Sequence, residues 1–308
     1  MDKEADKRFI ASYLKLSKKA LKDKITATEE ILKSCTLCPR KCNIDRTGGE
    51  TGFCRTGDKP FVSSWNAHFG EEAPLVGTHG SGTIFFTHCN LGCLFCQNWT
   101  ISHGDEGDEM SFDALADIMI SLQSYGCHNI NFVTPTHQVP MILKSLEIAI
   151  DKGLKIPLVY NCGGYEAIKT IQLLDGVIDI YMPDFKYSDP EAAKEYSKAG
   201  DYPLVAKAAI KEMHRQVGDL VIDKKGIAQK GLLVRHLVLP KGLAGTEEVV
   251  RFLAEEISPD TYTNIMAQYY PCYKAQEHPP LDRRLTGDEF RKAVKAAKDA
   301  GLRRLDRG

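Results

Sequence analysis

The sequence predicts an α/β fold, a partial (β/α)6 TIM-like barrel preceded by an irregular, cysteine-rich metal-binding layer. From Thr83 onward, short runs of apolar, β-branched or aromatic residues alternate with longer amphipathic segments, the pattern of a strand followed by its covering helix. Six such units fit into about 220 residues, fewer than the eight of a closed barrel. Ahead of them, residues 35–80 are rich in cysteine, glycine and proline and follow neither period.

Taken in order, residues 1 to about 34 read as one or two helices. Ile84-Phe85-Phe86-Thr87 is the first barrel strand and runs into a cysteine cluster. After Ser111, Phe112, Leu115, Ile118, Met119 and Leu122 recur at helical spacing and stop at Gly126. The next strands are Asn131-Phe132-Val133, with a helix around 139–150, and Pro157-Leu158-Val159-Tyr160, with a helix from about Tyr165. Val177 to Tyr181 follows, with a helix opened by Asp189-Pro190; Gly153 and Gly176 supply stops. Residues 218–231, rich in Lys, Asp and Gly, form a hairpin or insertion before the fifth strand, Leu233 to Leu239, and Thr246 is the next N-cap. The sixth strand is Asn264-Ile265-Met266, and Thr286 and Glu289 fit a capping box on a last helix. The expected division is a helical and cysteine-rich segment at 1–80, the barrel at 81–275 and a C-terminal helix at 276–308. Right-handed crossovers put every strand's C-terminal end on one face, where barrels bind ligands.

A chain of 308 residues is long enough to bury roughly three quarters of its unfolded surface. Its 43% hydrophobic and 26% charged residues exclude a disordered or collagen-like chain. The formal charge of -1 leaves no polybasic field to advertise nucleic acid or an anionic membrane. Arg40, Lys41, Arg46 and Arg55 surround the first cysteine group, but interleaved aromatics are scarce, so a solvated basic surface is favoured over a nucleic-acid knuckle. Met1 to Leu16 mixes charges among its apolar residues, unlike a secretory leader, and no stretch is apolar enough to span a bilayer. A cytoplasmic protein without a membrane partner is expected. The ten cysteines fall into two tight groups and three single residues, Cys127, Cys162 and Cys272. In a reducing compartment such groups are metal or iron–sulfur ligands rather than bridges.

Cys89, Cys93 and Cys96 place three thiols in eight residues, directly after a strand. A four-iron cluster takes four thiolates, so three leave one iron open. Zinc on the trio, with His88 or His103 as the fourth ligand, is the alternative; the compact spacing favours the cluster.

This CxxxCxxC pattern, with an aromatic before the last cysteine, resembles the radical S-adenosylmethionine superfamily. The resemblance implies a [4Fe–4S] cluster on Cys89, Cys93 and Cys96 whose open iron binds the amino and carboxylate groups of S-adenosyl-L-methionine. An electron from the reduced cluster, delivered by an external donor such as flavodoxin or ferredoxin, then cleaves it to methionine and a 5′-deoxyadenosyl radical. Phe95 would lie by the adenine, with plain packing in the loop as the alternative.

From about Thr83 to Pro271 the chain is similar to the activating enzymes of pyruvate formate-lyase. Asn161-Cys162-Gly163-Gly164 is similar to their Asp-Thr-Asn-Gly corner, and Met182-Pro183-Asp184-Phe185-Lys186 keeps the family spacing. The resemblance implies that Asn161, Cys162, Met182 and Asp184 hold a monovalent cation against the cofactor carboxylate, while Lys186 contacts the cofactor. Asn161 replaces an acid and Cys162 a threonine, which lowers the charge on that cation site. Thr134-Pro135-Thr136-His137 stands where the superfamily has a Gly-Gly-Glu turn at the cofactor's amino group; the hydroxyl and carbonyl of Thr134 are left to meet it. His137 is either a catalytic acid or a helix cap. Arg235 and His236 are neighbours in a strand, so only one faces the lumen. Gln268, Tyr269 and Tyr270 lie at the end of the sixth strand without an assigned role.

Cys35, Cys38, Cys42 and Cys54 offer a closed shell that suits zinc or an auxiliary iron–sulfur cluster, and Gly48, Gly49 and Gly52 let the chain wrap it. Cys35-Thr36-Leu37-Cys38-Pro39-Arg40-Lys41-Cys42 ahead of the trio resembles a subgroup of homologues of those activating proteins; the smaller activases lack this layer. Glu71 and Glu72 could ligate or act as an acid and base, but a surface pair is the favoured reading. The favoured substrate is a glycyl residue of a partner enzyme, then a peptide or small metabolite. The competing class is a non-enzymatic electron carrier or zinc-stabilised binding protein.

Overall fold

A computed structural model describes residues 9–306; the helical expectation for residues 1–8 and the last two residues of the C-terminal segment lie outside them. The strands are β1 (Phe61–His68), β2 (Ser81–Phe86), β3 (Asp108–Glu109), β4 (Ile130–Val133), β5 (Leu158–Cys162), β6 (Ile180–Pro183), β7 (Val221–Ile222), β8 (Ala228–Leu237), β9 (Tyr262–Met266) and β10 (Arg304–Leu305). The helices are α1 (Lys18–Leu32), α2 (Ala73–Val76), α3 (Trp99–Ser102), α4 (Phe112–Ser124), α5 (Val139–Asp151), α6 (Ile168–Leu173), α7 (Pro190–Ser197), α8 (Tyr202–Val217), α9 (Thr246–Phe252) and α10 (Gly287–Asp299).

Among the described residues the strands form one sheet in the order β10-β9-β8-β6-β5-β4-β2-β1-β3, with β7 paired to β8. The six expected barrel strands are β2, β4, β5, β6, β8 and β9, mutually parallel and adjacent in chain order. The sheet does not close: β3 and β10 are its two edges. Helical residues cover the outer face, where alternate strand residues such as Phe86, Phe132, Tyr160 and Tyr181 join the main core. Inside the curve, Leu75 of α2 meets Val159, Ile180, Met182 and Leu233 in a small apolar plug. That plug floors the lumen, and the polar mouth lies above it.

Local sequence accounts for most boundaries. Ser111 caps α4 through Ala114 N, Asp189 caps α7 through Glu191 N, and Thr286 and Glu289 form the expected capping box on α10. Several expectations are corrected. Residues 61–68 are not irregular but form β1, antiparallel to β2, so regular structure begins before residue 81. The helix expected from Tyr165 begins at Ile168, and the strand expected from Val177 begins at Ile180. Thr246 is the first residue of α9 rather than its cap, because its hydroxyl is bonded to His236 Nε2 at 2.9 Å. The C-terminal segment is a shorter helix followed by β10, which adds a parallel strand to the sheet. α8 is a second helix in its unit, not among those expected from the sequence although Gly200 and Asp201 precede it and Pro203 lies in its first turn.

The expected hairpin after residue 218 is β7 against β8, and it depends on Gly231. Gly231 adopts φ +128, and a Cβ there would sit 2.4 Å from both Asp219 O and Leu220 Cα. Those are backbone atoms and cannot swing aside. Gly231→Ala should therefore lower stability by about 2 kcal/mol or more, read as a fall in the urea midpoint; an unchanged midpoint would show that the hairpin is free to move off β8.

Candidate functional site

The cysteine trio sits on a loop that the fold pins from several sides. Gly92 N and Leu94 N donate to Ser197 O and Tyr196 O at the end of α7, and Asn90 Nδ2 donates to Tyr165 O. Each sulfur then has its own polar neighbour. Leu91 N donates to Cys89 Sγ at 3.3 Å, Ser197 Oγ to Cys93 Sγ at 2.9 Å, and Ser102 Oγ lies 3.1 Å from Cys96 Sγ. Such hydrogen bonds suit metal-bound thiolates, whose charge they spread. Burial pushes the thiols of Cys89 and Cys93 up, with Lys186 opposing this at Cys93, so metal binding must displace their protons.

Among the described residues no three Cys, His, Asp or Glu side chains converge on a position for a single ion. The histidines proposed as a fourth zinc ligand are also engaged. His88 is bonded to Thr56 through Nδ1 and Asp105 through Nε2, while His103 holds Cys93 O through Nε2. Both histidines are thus held in other contacts, leaving the three sulfurs as the ligands this loop offers.

Beside the trio lies a half-buried charge network. Asp184 Oδ2 is 2.6 Å from Lys186 Nζ and its Oδ1 is 2.9 Å from Arg235 Nε. Arg235 also reaches Asn161 Oδ1 at 2.6 Å and Glu71 Oε2 at 3.3 Å. Burial opposes the charge on Asp184, but Arg235 and Lys186 outweigh it and hold the carboxyl below its usual range. Likewise burial opposes the ammonium of Lys186, and Asp184 and Cys93 outweigh it. Tyr202 accepts from Lys186 N and bonds the carbonyls of Gly163 and Asp184, tying the two strand ends together.

Of the residues expected here, Asn161, Asp184 and Lys186 come together as predicted by their strand-end positions. Arg235, not His236, faces the lumen; His236 points to α9, where burial lowers its pKa to about 4. Met182 belongs to the apolar floor. Cys162 points to the opposite side from Asn161, toward Glu166, and only its carbonyl, bonded to Asp184 N at 2.8 Å, meets the corner. Thr134 donates its N–H to Asn161 O and holds φ +58, an unusual conformation for a β-branched residue. Phe95 packs edge-to-face on Tyr187 and Tyr269. His137 is bonded to Thr87 O and buried, which lowers its pKa to about 3, so it is neither a neutral-pH acid nor a helix cap. Gln268 accepts from Gln97, Tyr269 bonds Leu281 O, and Tyr270 lies exposed by Arg284.

Glu71 and Glu72 are not a surface pair. Glu71 binds Asn131 and Arg235, and Glu72 binds Asn264, both within the lumen. Their adjacency was visible, but the turn that carries them inside was not. No sequence signal marks Glu166, fully buried under Thr136 and Tyr160 with its pKa pushed up to about 7 by burial.

The first cysteine layer lies over the same end of the sheet. Cys35, Cys38 and Cys54 interact electrostatically, and burial pushes the Cys38 thiol up to about 12. Cys42 stands at the margin against Gly52, where a Cβ would come within 2.7 Å of its Sγ. Arg46 is 1% exposed and faces Cys54. Among the described residues its contacts are the carbonyls of Gly57 and His137, its NH1 has none, and it forms no ion pair with a carboxylate. Arg40 joins this layer to the trio, donating to Asn90 O at 3.0 Å and to the carbonyls of Ser197 and Lys198.

Residues 83–223 match the model of the Radical SAM superfamily. The chain is 34% identical over 295 residues to the uncharacterized protein MJ0674 of Methanocaldococcus jannaschii, covering 91% of this chain and 78% of that one. It is 24% identical over 271 residues to the uncharacterized protein MJ0808 of the same organism, covering 80% and 73%. A crystal structure of HydG, a maturase of the [FeFe]-hydrogenase, superposes with a TM-score of 0.47 at 12% identity over 72% of this chain and 50% of that one. The chain thus spans half the length of HydG, and a likeness of that degree bears on neither substrate nor chemistry. No described helix is long and apolar enough to cross a membrane. From the superfamily match and a relative that aligns with most of its length, the protein belongs to the radical S-adenosylmethionine superfamily.

Proposed function

We propose that the protein cleaves S-adenosylmethionine reductively and abstracts hydrogen from a glycyl residue of a partner protein, as an activating enzyme does. The observation that carries the first part is the trio of thiols, Cys93 buried and Cys89 and Cys96 half-buried, each with a hydrogen-bonding neighbour, beside the Asp184–Lys186–Arg235 network. The glycyl substrate rests on the strand-end residues Asn161, Asp184 and Lys186 alone. A four-iron cluster bound by Cys89, Cys93 and Cys96 supplies an open iron and one electron for breaking the 5′ carbon–sulfur bond of the cofactor. Lys186 presents a cation to the cofactor carboxylate, and Asp184 fixes where that cation points. Thr134 offers its hydroxyl and carbonyl to the amino group. The thiols are all unpaired, which a reducing cytoplasmic compartment preserves.

Reconstituted protein with a chemical reductant and S-adenosylmethionine should release deoxyadenosine, and Cys93→Ser should abolish that release. A glycyl electron-resonance doublet should appear with the right partner. Deoxyadenosine without any partner-dependent doublet would count against activation, and no deoxyadenosine from the wild type would leave the electron-carrier reading in place.

We assign the place of the expected monovalent cation to Arg235. Both oxygens of Asp184 and the Asn161 carbonyl are already bonded by cationic side chains of the chain itself. Cleavage by the wild type should be insensitive to exchange of sodium for potassium, whereas Arg235→Ala should acquire such a dependence at a rate reduced about tenfold or more. Cation dependence in the wild type would refute the assignment.

The first cysteine group is assigned a metal–thiolate centre, zinc or an auxiliary cluster, with Arg46 as its buried counter-charge. An unbalanced buried guanidinium is costly unless an anion stands near, and the thiolates of such a centre supply one. Anaerobically purified protein should hold zinc plus about four irons, or about eight irons. Arg46→Gln should lose the metal of this group and keep the four irons of the trio; metal content equal to the wild type would remove Arg46 from the site.

A further inference from the structure

One residue of the outer cysteine motif reaches into the inner one. In Cys38-Pro39-Arg40-Lys41-Cys42, Arg40 stands between two outer thiols and donates its backbone N–H to Cys38 Sγ. Its side chain leaves the layer altogether. Nε donates to Asn90 O at 3.0 Å, inside the trio's loop. The two terminal nitrogens donate to Ser197 O and Lys198 O at the end of α7.

That helix end is where the trio's loop is seated. Gly92 N shares Ser197 O with Arg40, at 3.1 Å, Leu94 N takes Tyr196 O at 2.8 Å, and Ser197 Oγ holds Cys93 Sγ. A planar guanidinium with donors on separate edges bridges the loop and the helix end at once, which a point-like ammonium does less well. Its positive charge also suits the carbonyl end of a helix. Rings from both sides flank it: the guanidinium carbon lies 3.9 Å from the centre of Phe53, beside Cys54, and 5.2 Å from that of Tyr165, whose carbonyl accepts from Asn90 Nδ2. Phe53 lies against the trio's loop as well, for a Cβ on Gly92 would come within 3.4 Å of its Cζ.

The outer turn decides where Arg40 points. Lys41 and Asn43 hold φ +44 and +54, a left-handed backbone that residues other than glycine adopt at a cost. Lys41 N donates to Cys38 O, Asn43 N to Cys35 O and Cys35 N to Ile44 O, so the turn is braced only by its own short bonds. Thiolates drawn onto one metal would close it from Cys35, Cys38 and Cys42 together. A charged Cys38 sulfur also accepts the Arg40 N–H more strongly than a thiol does.

We propose that Arg40 is the positioning residue through which metal on the first cysteine group holds the trio's loop against α7, in the shape that keeps its cluster. The inference rests on the metal assignments given under Proposed function. Without the outer metal the turn relaxes, Arg40 leaves Asn90, Ser197 and Lys198, and the Gly92 and Leu94 amides open to solvent.

The test is a double-mutant cycle on anaerobically metal-loaded protein: wild type, Arg40→Ala, Cys42→Ala and the pair. Metal content is measured for each. Hydrogen exchange is read by mass spectrometry over residues 90–95, with α4 as the reference for an intact fold. Arg40→Ala and Cys42→Ala should each speed exchange of the loop about tenfold or more, and the pair should be no faster than Arg40→Ala alone. Arg40→Ala should keep the outer metal, because its backbone N–H remains. Unchanged loop exchange in Arg40→Ala would overturn the proposal. So would additive effects of the two substitutions, which would give the outer group a route of its own. If Cys42→Ala unfolds the chain, wild type and Arg40→Ala stripped of outer metal by a chelator complete the cycle. Wild type without outer metal would overturn the proposal together with the assignment it rests on. Wild type that holds both metals yet releases no deoxyadenosine would fail the proposed reaction alone, and the exchange cycle still decides Arg40.

Discussion

One half-buried aspartate sets the geometry of the mouth. Asp184 ends a central strand with a lysine two residues on and an arginine from the neighbouring strand, and all three side chains are largely, though not fully, shielded from water. Loss of one cation from such a group leaves uncompensated charge, at about 3–5 kcal/mol. The network therefore resists rearrangement, and it reaches four strands through Arg235, Asn161, Asp184 and the Glu71–Asn131 contact. The apolar plug below it excludes water from the lumen floor, which strengthens those attractions. A cofactor entering this mouth meets a cation whose direction is already fixed.

The parts of this arrangement that obey a local rule were legible in the sequence. The trio's spacing, the alternation that set β4, β5, β6, β8 and β9, and the capping residues Ser111, Asp189 and Thr286 depend on neighbours a few positions away. Strand alternation narrowed Arg235 and His236 to one lumen residue but could not choose between them, because the phase depends on the sheet's curvature. Glu71 and Glu72 looked like solvated acids because nothing local shows that α2 dives into the lumen and takes them along. Cys162 and Met182 lie at strand ends in the chain, yet the pleat sends the first outward and the second into the floor. Ser197 and Tyr202, which hold a sulfur and two strand ends, come from helices far along the chain and carry no signature of their own.

The two cysteine groups are physically continuous. Arg40, two residues past Cys38, clasps the carbonyls of Asn90, Ser197 and Lys198, and Ser197 in turn holds Cys93. Its guanidinium also lies 3.9 Å from the centre of the Phe53 ring, next to Cys54 in sequence. The irregular layer has little regular structure of its own, so whatever orders its cysteines also orders this clasp.

That continuity has a cost under oxidation. Should oxygen convert any thiol of the outer layer to a sulfinic acid, a change that cellular reductants seldom reverse, the layer would slacken and the clasp would release the inner loop. Of the four outer thiols Cys42 is the most accessible, so injury there would loosen the centre without touching its sulfurs.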